Sequence, residues 1–316
     1  MIGGKLMRKL QWMISLIIIL SGLVAAANIG IIQIIEHPAL DAARKGFMDE
    51  IKEQGFDAKY TYQNAQGDMS TLQAIAGKLV ADKVDLILAI ATPSAQAAAK
   101  ATTTIPVLIT AVTDPVAAGL VKSLQNPGTN VTGTSDLNPV DKQLALIKQL
   151  RPSATRIGII YNAGETNSIV QVDLAKEAAT KLGLKLVLAT VTETSGVYQA
   201  AQSLAGRVDA VYVPTDNTVV AALESVIAFC ERNRLPLIAG EGESVNRGAV
   251  ATIGIDYYQL GRQTGAMALK ILKGEKPENS PVEFQNTMNL IINTNAAKRM
   301  GVTIPQVLMK NATIVQ

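Results

Sequence analysis

The sequence predicts an α/β protein of two similar, doubly wound lobes, each built on a parallel sheet, and three observations carry that expectation. The first is a plan stated twice: Ile29 to Leu40 reads IGIIQIIEHPAL and Arg156 to Ser168 reads RIGIIYNAGETNS. In both, a short apolar run ends in polar residues and then enters a helical pattern. The second is that the echo continues in order. Val84 to Ser94 (VDLILAIATPS) is answered by Val208 to Asn217 (VDAVYVPTDN), and Ile105-Pro106-Val107 by Leu235-Pro236-Leu237. Gly30 matches Gly158, Asp85 matches Asp209 and Pro106 matches Pro236, at spacings of 128, 124 and 130 residues, so only small insertions separate the copies. The third is the alternation of apolar runs with amphipathic ones, which is βαβ traffic. Any βαβ protein repeats strands and turns, but three ordered landmarks at nearly one spacing favour duplication.

Taken in order, the chain opens on Lys5, Arg8 and Lys9, an apolar run from Trp12 to Val24, and Ala25-Ala26-Ala27. Residues 1–27 thus read as a cleavable signal peptide, the apolar run being short against the roughly 20 residues of a spanning helix. No cysteine follows that run, so lipid attachment at a new N-terminus is not supported, and a periplasmic or extracytoplasmic protein is expected. The remaining residues suit two domains. Net charge is +3, and removal of the three leading basic residues leaves 0, so no basic excess is available for nucleic acid. The single cysteine, Cys230, sits in the apolar run VIAFC and reads as a buried, inert thiol.

In the first lobe, Ile29 to Ile35 is a near-continuous apolar strand, as a parallel strand covered on both faces should be. His37-Pro38 then opens a helix carrying Leu40, Ala43, Phe47 and Ile51 at helical spacing, with Gly55 placed to end it. Phe56 to Gln63, Leu86 to Ile90 and Val107 to Thr110 read as strands, with helices over Asp68 to Ala81 and Pro93 to Ala101. The second lobe offers strands at Arg156–Tyr161, Lys185–Thr190, Ala210–Val213, Leu237–Ile238 and Ala249–Ile253. Its helices are expected at Ser168–Leu182, Gly196–Leu204 and Val219–Arg232. Gln125 to Asn138, rich in Gly, Pro, Asn and Thr, reads as the crossing between lobes. Tyr258 to Lys273 is a further helix and Val282 to Ile292 looks extended; both can cross back and brace a hinge.

Ligands of open α/β sheets bind just beyond the C-terminal ends of the strands. Those ends carry Glu36-His37, Thr92-Pro93-Ser94 and Thr113-Asp114 in the first lobe. The second gives Asn162, Glu165, Asn167 and Ser168, then Thr215-Asp216-Asn217, then Glu241 to Ser244. Several also open a helix, where free amides and the dipole favour an anion. For any one cluster, capping explains the residues as well as binding does, so the case rests on the set.

EHPALDAARKGF at Glu36 to Phe47, ATPSAQAA at Ala91 to Ala98, TAVTDPVAAGLV at Thr110 to Val121, GTNVTGTSD at Gly128 to Asp136 and YNAGETNS at Tyr161 to Ser168 carry a resemblance. So do VPTDNTV at Val213 to Val219 and ATIGIDYYQLGRQTG at Ala251 to Gly265. Together these runs resemble the TrpX-like ABC-transporter substrate-binding family over essentially the whole chain after the signal segment. The resemblance implies a type I periplasmic-binding-protein fold with a multi-crossover hinge of three connections, and ligand held in the cleft. It also implies uptake of an aromatic or other hydrophobic amino acid, delivered to an ABC permease in the membrane. Its binding residues carry over to Thr92 to Ser94, Thr113-Asp114, Asn162 to Ser168, Thr215 to Asn217 and Asp256-Tyr257. The expected lobes are 28–133 with 256–284, and 134–255 with 285–316.

The residues agree with a zwitterion. Glu36, Asp114, Glu165, Asp216, Glu241 and Asp256 outnumber the cations at the strand ends and suit an ammonium, while hydroxyls and helix amides suit the carboxylate. Asp216 is the expected ammonium partner, with helix capping as the competing explanation. Tyr161, Tyr212 and Tyr257 are the candidate stacking rings, each equally explicable by packing. An enzyme finds little support: with one histidine and one cysteine, metal clusters and Cys/His pairs are disfavoured, and no Walker loop, G-x-S-x-G or G-x-G-x-x-G is present. His37 reads as capping or orienting its helix. No cofactor or metal is expected, and a monomer is. A ligand-sensing subunit on a membrane receptor stands as the alternative, with a carboxylate-dependent enzyme of the same fold behind it.

Overall fold

The computed structural model describes residues 26–316, so the expected signal segment lies outside them up to residue 25. Ala27, expected as its last residue, already begins strand β1 (Ala27–Gln33). The chain continues through α1 (Pro38–Glu53), β2 (Ala58–Asn64), α2 (Met69–Ala81), β3 (Leu86–Ile90), α3 (Thr92–Ala101), β4 (Val107–Val112) and β5 (Val131–Ser135). Next come α4 (Val140–Leu150), β6 (Arg156–Asn162), α5 (Thr166–Leu182), β7 (Lys185–Val191), α6 (Val197–Gln202) and β8 (Ala210–Val213). After them follow α7 (Asn217–Ala221), α8 (Leu223–Asn233), β9 (Leu237–Ala239), α9 (Gly242–Arg247) and β10 (Ala251–Gly254). The last elements are α10 (Tyr257–Leu272), β11 (Glu283–Phe284), β12 (Asn289–Asn293), α11 (Thr294–Arg299), α12 (Gln306–Met309) and β13 (Thr313–Val315).

Two sheets result, with strand orders β11-β5-β4-β3-β1-β2 and β13-β12-β10-β9-β8-β6-β7. Both are parallel except where β12 runs antiparallel to β10. Each sheet lies in its own hydrophobic core, one centred on Ile29, Ile31, Leu86 and Ile87, the other on Ile157, Ile159, Val211 and Tyr212.

The three repeated landmarks do the same work in each half. Gly30 and Gly158 sit on the first strand of their sheets where a leucine presses in, from α2 in the first half and from the turn after α6 in the second. A Cβ at Gly30 would stand 2.8 Å from Leu79, and one at Gly158 would stand 2.7 Å from Leu204. The Asp85 carboxylate accepts the Asn28 amide at 2.7 Å, and the Asp209 carboxylate accepts the Arg156 amide at 2.8 Å, each tying the third strand of its half to the first. The carbonyls of Pro106 and Pro236 accept from Ile87 and Val211, starting the next pairing.

Helix α10 follows the second sheet in sequence yet packs in the first core through Tyr257, Leu260, Met267 and Ile271. It lies against α1 at a backbone distance only glycine permits: a Cβ on Gly46 would meet the Tyr258 carbonyl oxygen at 2.0 Å, and one on Gly261 would meet that of Ala43 at 1.9 Å. The chain passes between the sheets at residues 136–139, at 255–256 and at 285–288. There the Gln285 amide clasps the main chain of Asp256, accepting its N–H at 3.1 Å and donating to its carbonyl at 2.5 Å.

The structure departs from the sequence expectations in four places. Val131–Ser135, inside the segment expected to cross, is a strand of the first sheet, so that sheet extends past residue 133. Its Thr and Gly residues carry no apolar signal; it is buried because Thr132 Oγ1 donates to the Ser280 carbonyl and Thr134 bonds Thr264. The helix expected over Val219–Arg232 breaks at Ala222 (φ −115°, ψ 29°) into α7 and α8. Val282 to Ile292 divides into β11 and β12, which join different sheets. Helices α4, α9 and α12 and strand β13 were not expected. Among the described residues no helix is long and apolar enough to cross a membrane.

Candidate ligand-binding site

The C-terminal ends of both sheets face each other across a narrow cleft that is nearly closed, with about 10 Å³ of free space. His37, Leu40, Ala111 and Tyr257 wall it from the first half, with Asp136 at the first crossing. Asn167, Thr215, Asn217, Val220 and Glu241 wall it from the second. Leu40, Ala111 and Val220 form an apolar face; the rest are polar.

Backbone strain marks the first half of this site. Ala91 (φ 75°) and Ala111 (φ 56°) adopt positive φ without being glycine, a cost of order 1–3 kcal/mol each that clusters at functional sites. Ala91 precedes α3, and its N–H donates to the Thr110 carbonyl, so the two strained residues hold adjacent strand ends. The first turn of α3 follows directly, with the hydroxyls of Thr92 and Ser94, both buried and outside the walls of the enclosed space, beside amides that have no intrahelical acceptor. Pro93 occupies the first turn, where its missing N–H costs nothing.

Among the described residues, five buried side-chain atoms have no hydrogen-bond partner. Four are His37 Nδ1, Thr92 Oγ1, Ser94 Oγ and Asn167 Oδ1, all at the facing strand ends. The fifth, Thr252 Oγ1, lies near the second crossing. Leaving such groups unpaired costs about 1–3 kcal/mol each.

The carboxylates divide into two kinds. Asp136 lines the cleft and accepts from Thr113 Oγ1 at 2.9 Å and from the Tyr257 hydroxyl at 2.6 Å. Burial pushes its carboxyl above the usual range, against the pull of those two donors. Glu241 also lines the cleft; it caps α9 by accepting from the Ser244 amide and hydroxyl, and burial pushes it up as well.

Asp216 and Glu165, in contrast, are consumed by the second half itself. Asp216 Oδ2 accepts from the Asn162 amide and from Ser168 Oγ, both at 2.6 Å, and Oδ1 accepts from the Val219 amide at 2.8 Å. It caps α7 and is not among the residues walling the cleft, so helix capping accounts for it here. Burial and the neighbouring Glu165 charge raise its carboxyl to about 7, opposed by those three donors. Glu165 accepts from Asn217 Nδ2 at 2.5 Å, Thr218 Oγ1 at 2.8 Å and Asn167 Nδ2 at 3.2 Å.

Other candidates also fall outside the enclosed space. Glu36 is exposed and accepts from Tyr62. Asp114 closes a turn through the Val116 and Ala117 amides, and exposed Asp256 caps α10 through the Gln259 amide. Asn162 and Ser168 serve Asp216. Among the tyrosines, Tyr212 is core, donating to Gln143, and Tyr161 packs on the second core; Tyr257 alone faces the cleft. His37 stands at the N-cap of α1 without a side-chain capping bond, which leaves the other expectation, that it orients the helix.

Sequence reading missed Asp136 as a cleft residue, together with Leu40, Ala111 and Val220. The available signal for Asp136 was its place after Val131–Ser135, once that run is recognised as a strand whose end must also face the cleft.

A tyrosine-binding protein of Clostridioides difficile (strain R20291) is 48% identical over 277 residues, covering 86% of this chain and 80% of that one. A Streptococcus pneumoniae ABC domain solved in complex with L-Trp is 38% identical, covers 92% of this chain and 100% of its own, and overlays with a TM-score of 0.89. The ligand-free, open structure of a substrate-binding protein with adhesive properties from Clostridium difficile is 48% identical, with coverages of 92% and 99% and a TM-score of 0.69. More distant solute-binding proteins of ABC transporters share the type I periplasmic-binding-protein fold. With the model of the ABC transporter substrate binding protein family matching residues 28–316, the chain belongs to that family.

Proposed function

We propose that this substrate-binding protein takes a zwitterionic amino acid with an aromatic side chain into the cleft and delivers it, outside the cytoplasm, to an ABC permease. The carrying observation is the set of unpartnered buried atoms at the facing strand ends, His37 Nδ1, Thr92 Oγ1 and Ser94 Oγ from one half and Asn167 Oδ1 from the other. Thr92, Ser94 and the first turn of α3 suit the carboxylate. Asp136 and Glu241 suit the ammonium, and Leu40, Ala111 and Val220 suit the apolar side chain. Tyrosine in one relative's name and L-Trp in another's complex support the aromatic class.

Lobes built on the two sheets close around that ligand by bending at the three crossings. Support comes from the overlays: the 48% identical open structure fits less well than the 38% identical L-Trp complex, as it would if the lobes here are closed. The protein acts as a monomer without turnover, exported by its leading segment. Calorimetry of the purified protein with L-tyrosine and L-tryptophan tests the reading, alongside mass spectrometry of small molecules released on denaturation. One-to-one binding with the amino acid recovered unchanged is expected. A released sugar or nucleoside, or chemical conversion of the amino acid, would overturn it.

A further inference from the structure

The reading of the cleft as an amino-acid site, on which this inference rests, leaves one residue without a task. His37 is the single histidine of the chain, is buried, and makes no capping bond. Its ring is enclosed from both halves. On its own segment, Glu36 is turned outward to Tyr62, and Asp41 is engaged by Arg44 and Gln33. Across the cleft and beside it stand Asp136 and Tyr257, bonded to each other, Glu241, held by Ser244, and the Asn217 amide. The remaining charge is the Arg247 guanidinium on α9, fixed by two bonds to Glu224 and one to the Val220 carbonyl. A protonated ring would therefore sit out of water near a guanidinium that is held in place. Burial first and Arg247 second hold the ring far below its ordinary value, at about 3, with Asn217 working the other way. Arg247 belongs to the half that must swing away when the cleft opens.

We propose that His37 is a specificity-determining ligand contact that works only as the neutral ring, its Nδ1 hydrogen-bonding the bound amino acid and its second proton being expelled as the lobes close. With the lobes apart the ring meets water and titrates near its ordinary value of about 6.5. The closed state then holds fewer protons than the open one, so affinity falls as pH drops below that value, about tenfold per pH unit. Burial raises the carboxyls of Asp136 and Glu241, and a His37 variant shares their contribution.

The test is calorimetry with L-tyrosine and L-tryptophan between about pH 5 and 7.5 on the wild type and on His37→Gln. For the wild type, release of about one proton per ligand near pH 5.5, falling to about a half near pH 6.5 and toward none at pH 7.5, and at least a fivefold loss of affinity from about pH 6.5 to 5.5 are expected. The variant should bind more weakly at about pH 7.5 and change little over the same range. Parallel profiles would overturn the inference. A second measurement depends on neither the variant nor the ligand. Gln96 and Thr166 touch across the cleft at 3.4 Å, so a Gln96→Cys, Thr166→Cys protein bridged by a short thiol reagent is clamped shut. The NMR signal of its one imidazole should not titrate down to about pH 5, whereas the unbridged protein should show a midpoint near 6.5. An ordinary midpoint in the clamped protein would overturn the linkage. Failure of both amino acids to bind at about pH 7.5 would count against the amino-acid reading, with the clamp still deciding the fate of His37.

Discussion

At the scale of single residues, the cleft separates acids that look equivalent in the sequence. Asp136 faces the enclosed space and accepts from two donors, whereas Asp216 accepts from three, all of its own half. Asp136→Asn should therefore weaken L-tyrosine or L-tryptophan binding by on the order of 2 to 5 kcal/mol, roughly 30-fold to several-thousand-fold in affinity, read by calorimetry. Asp216→Asn should leave the affinity of the folded protein near native. It should still cost about 1 to 3 kcal/mol of stability, because an amide N–H2 cannot accept from Asn162, Ser168 and Val219 as two carboxylate oxygens do. The pH dependence has a definite sign. A carboxyl raised from its unfolded value to about 7 stabilises the fold fully below the unfolded value, and that contribution is lost as pH rises through about 7. Thermal melts of the ligand-free protein should thus show the gap between wild type and Asp216→Asn narrowing from about pH 5 to about pH 8. A gap that widened would reverse the assignment.

Among the elements, the α1–α10 pair decides where the chain's late helix belongs. Gly46 and Gly261 bring the two backbones together so closely that a methyl group has nowhere to go. Gly261→Ala should cost about 1–3 kcal/mol or more by overpacking. Gly77, in the interior of α2 with open space around it, supplies the contrast: Gly77→Ala should stabilise by about 0.4–1 kcal/mol. Chemical denaturation followed by circular dichroism reads both. Equal effects at the two positions would mean that the close approach contributes nothing. Helix α3 starts at the strained Ala91 without a side-chain cap, which leaves the buried hydroxyls of Thr92 and Ser94 unpaired.

For the whole molecule, the expected motion is a bend at residues 136–139, 255–256 and 285–288. A distance probe across Gln96 and Thr166, or small-angle scattering, should report a more compact form at saturating amino acid. An unchanged distance would count against hinge closure. The reciprocal Gln285–Asp256 bonds join two of the three crossings, so bending there moves them together.

The duplication, the two parallel sheets and the concentration of polar residues at strand ends were legible in the chain because each rests on local periodicity. Strand alternation, helical spacing and turn residues act within a few positions of themselves. Gly30 and Gly158, Asp85 and Asp209, Pro106 and Pro236 could be matched by spacing alone, and they fill equivalent places. Tertiary contacts decided the rest. Val131–Ser135 is a strand only because β4 and the Ser280 region cover its polar residues, and without it Asp136 has no visible reason to face the cleft. Asp216 and Asp136 each close a strand end, and no local rule separates them. The difference lies in what the folded surroundings donate: Ser168 and two amides satisfy Asp216, while Asp136 is left facing the other lobe.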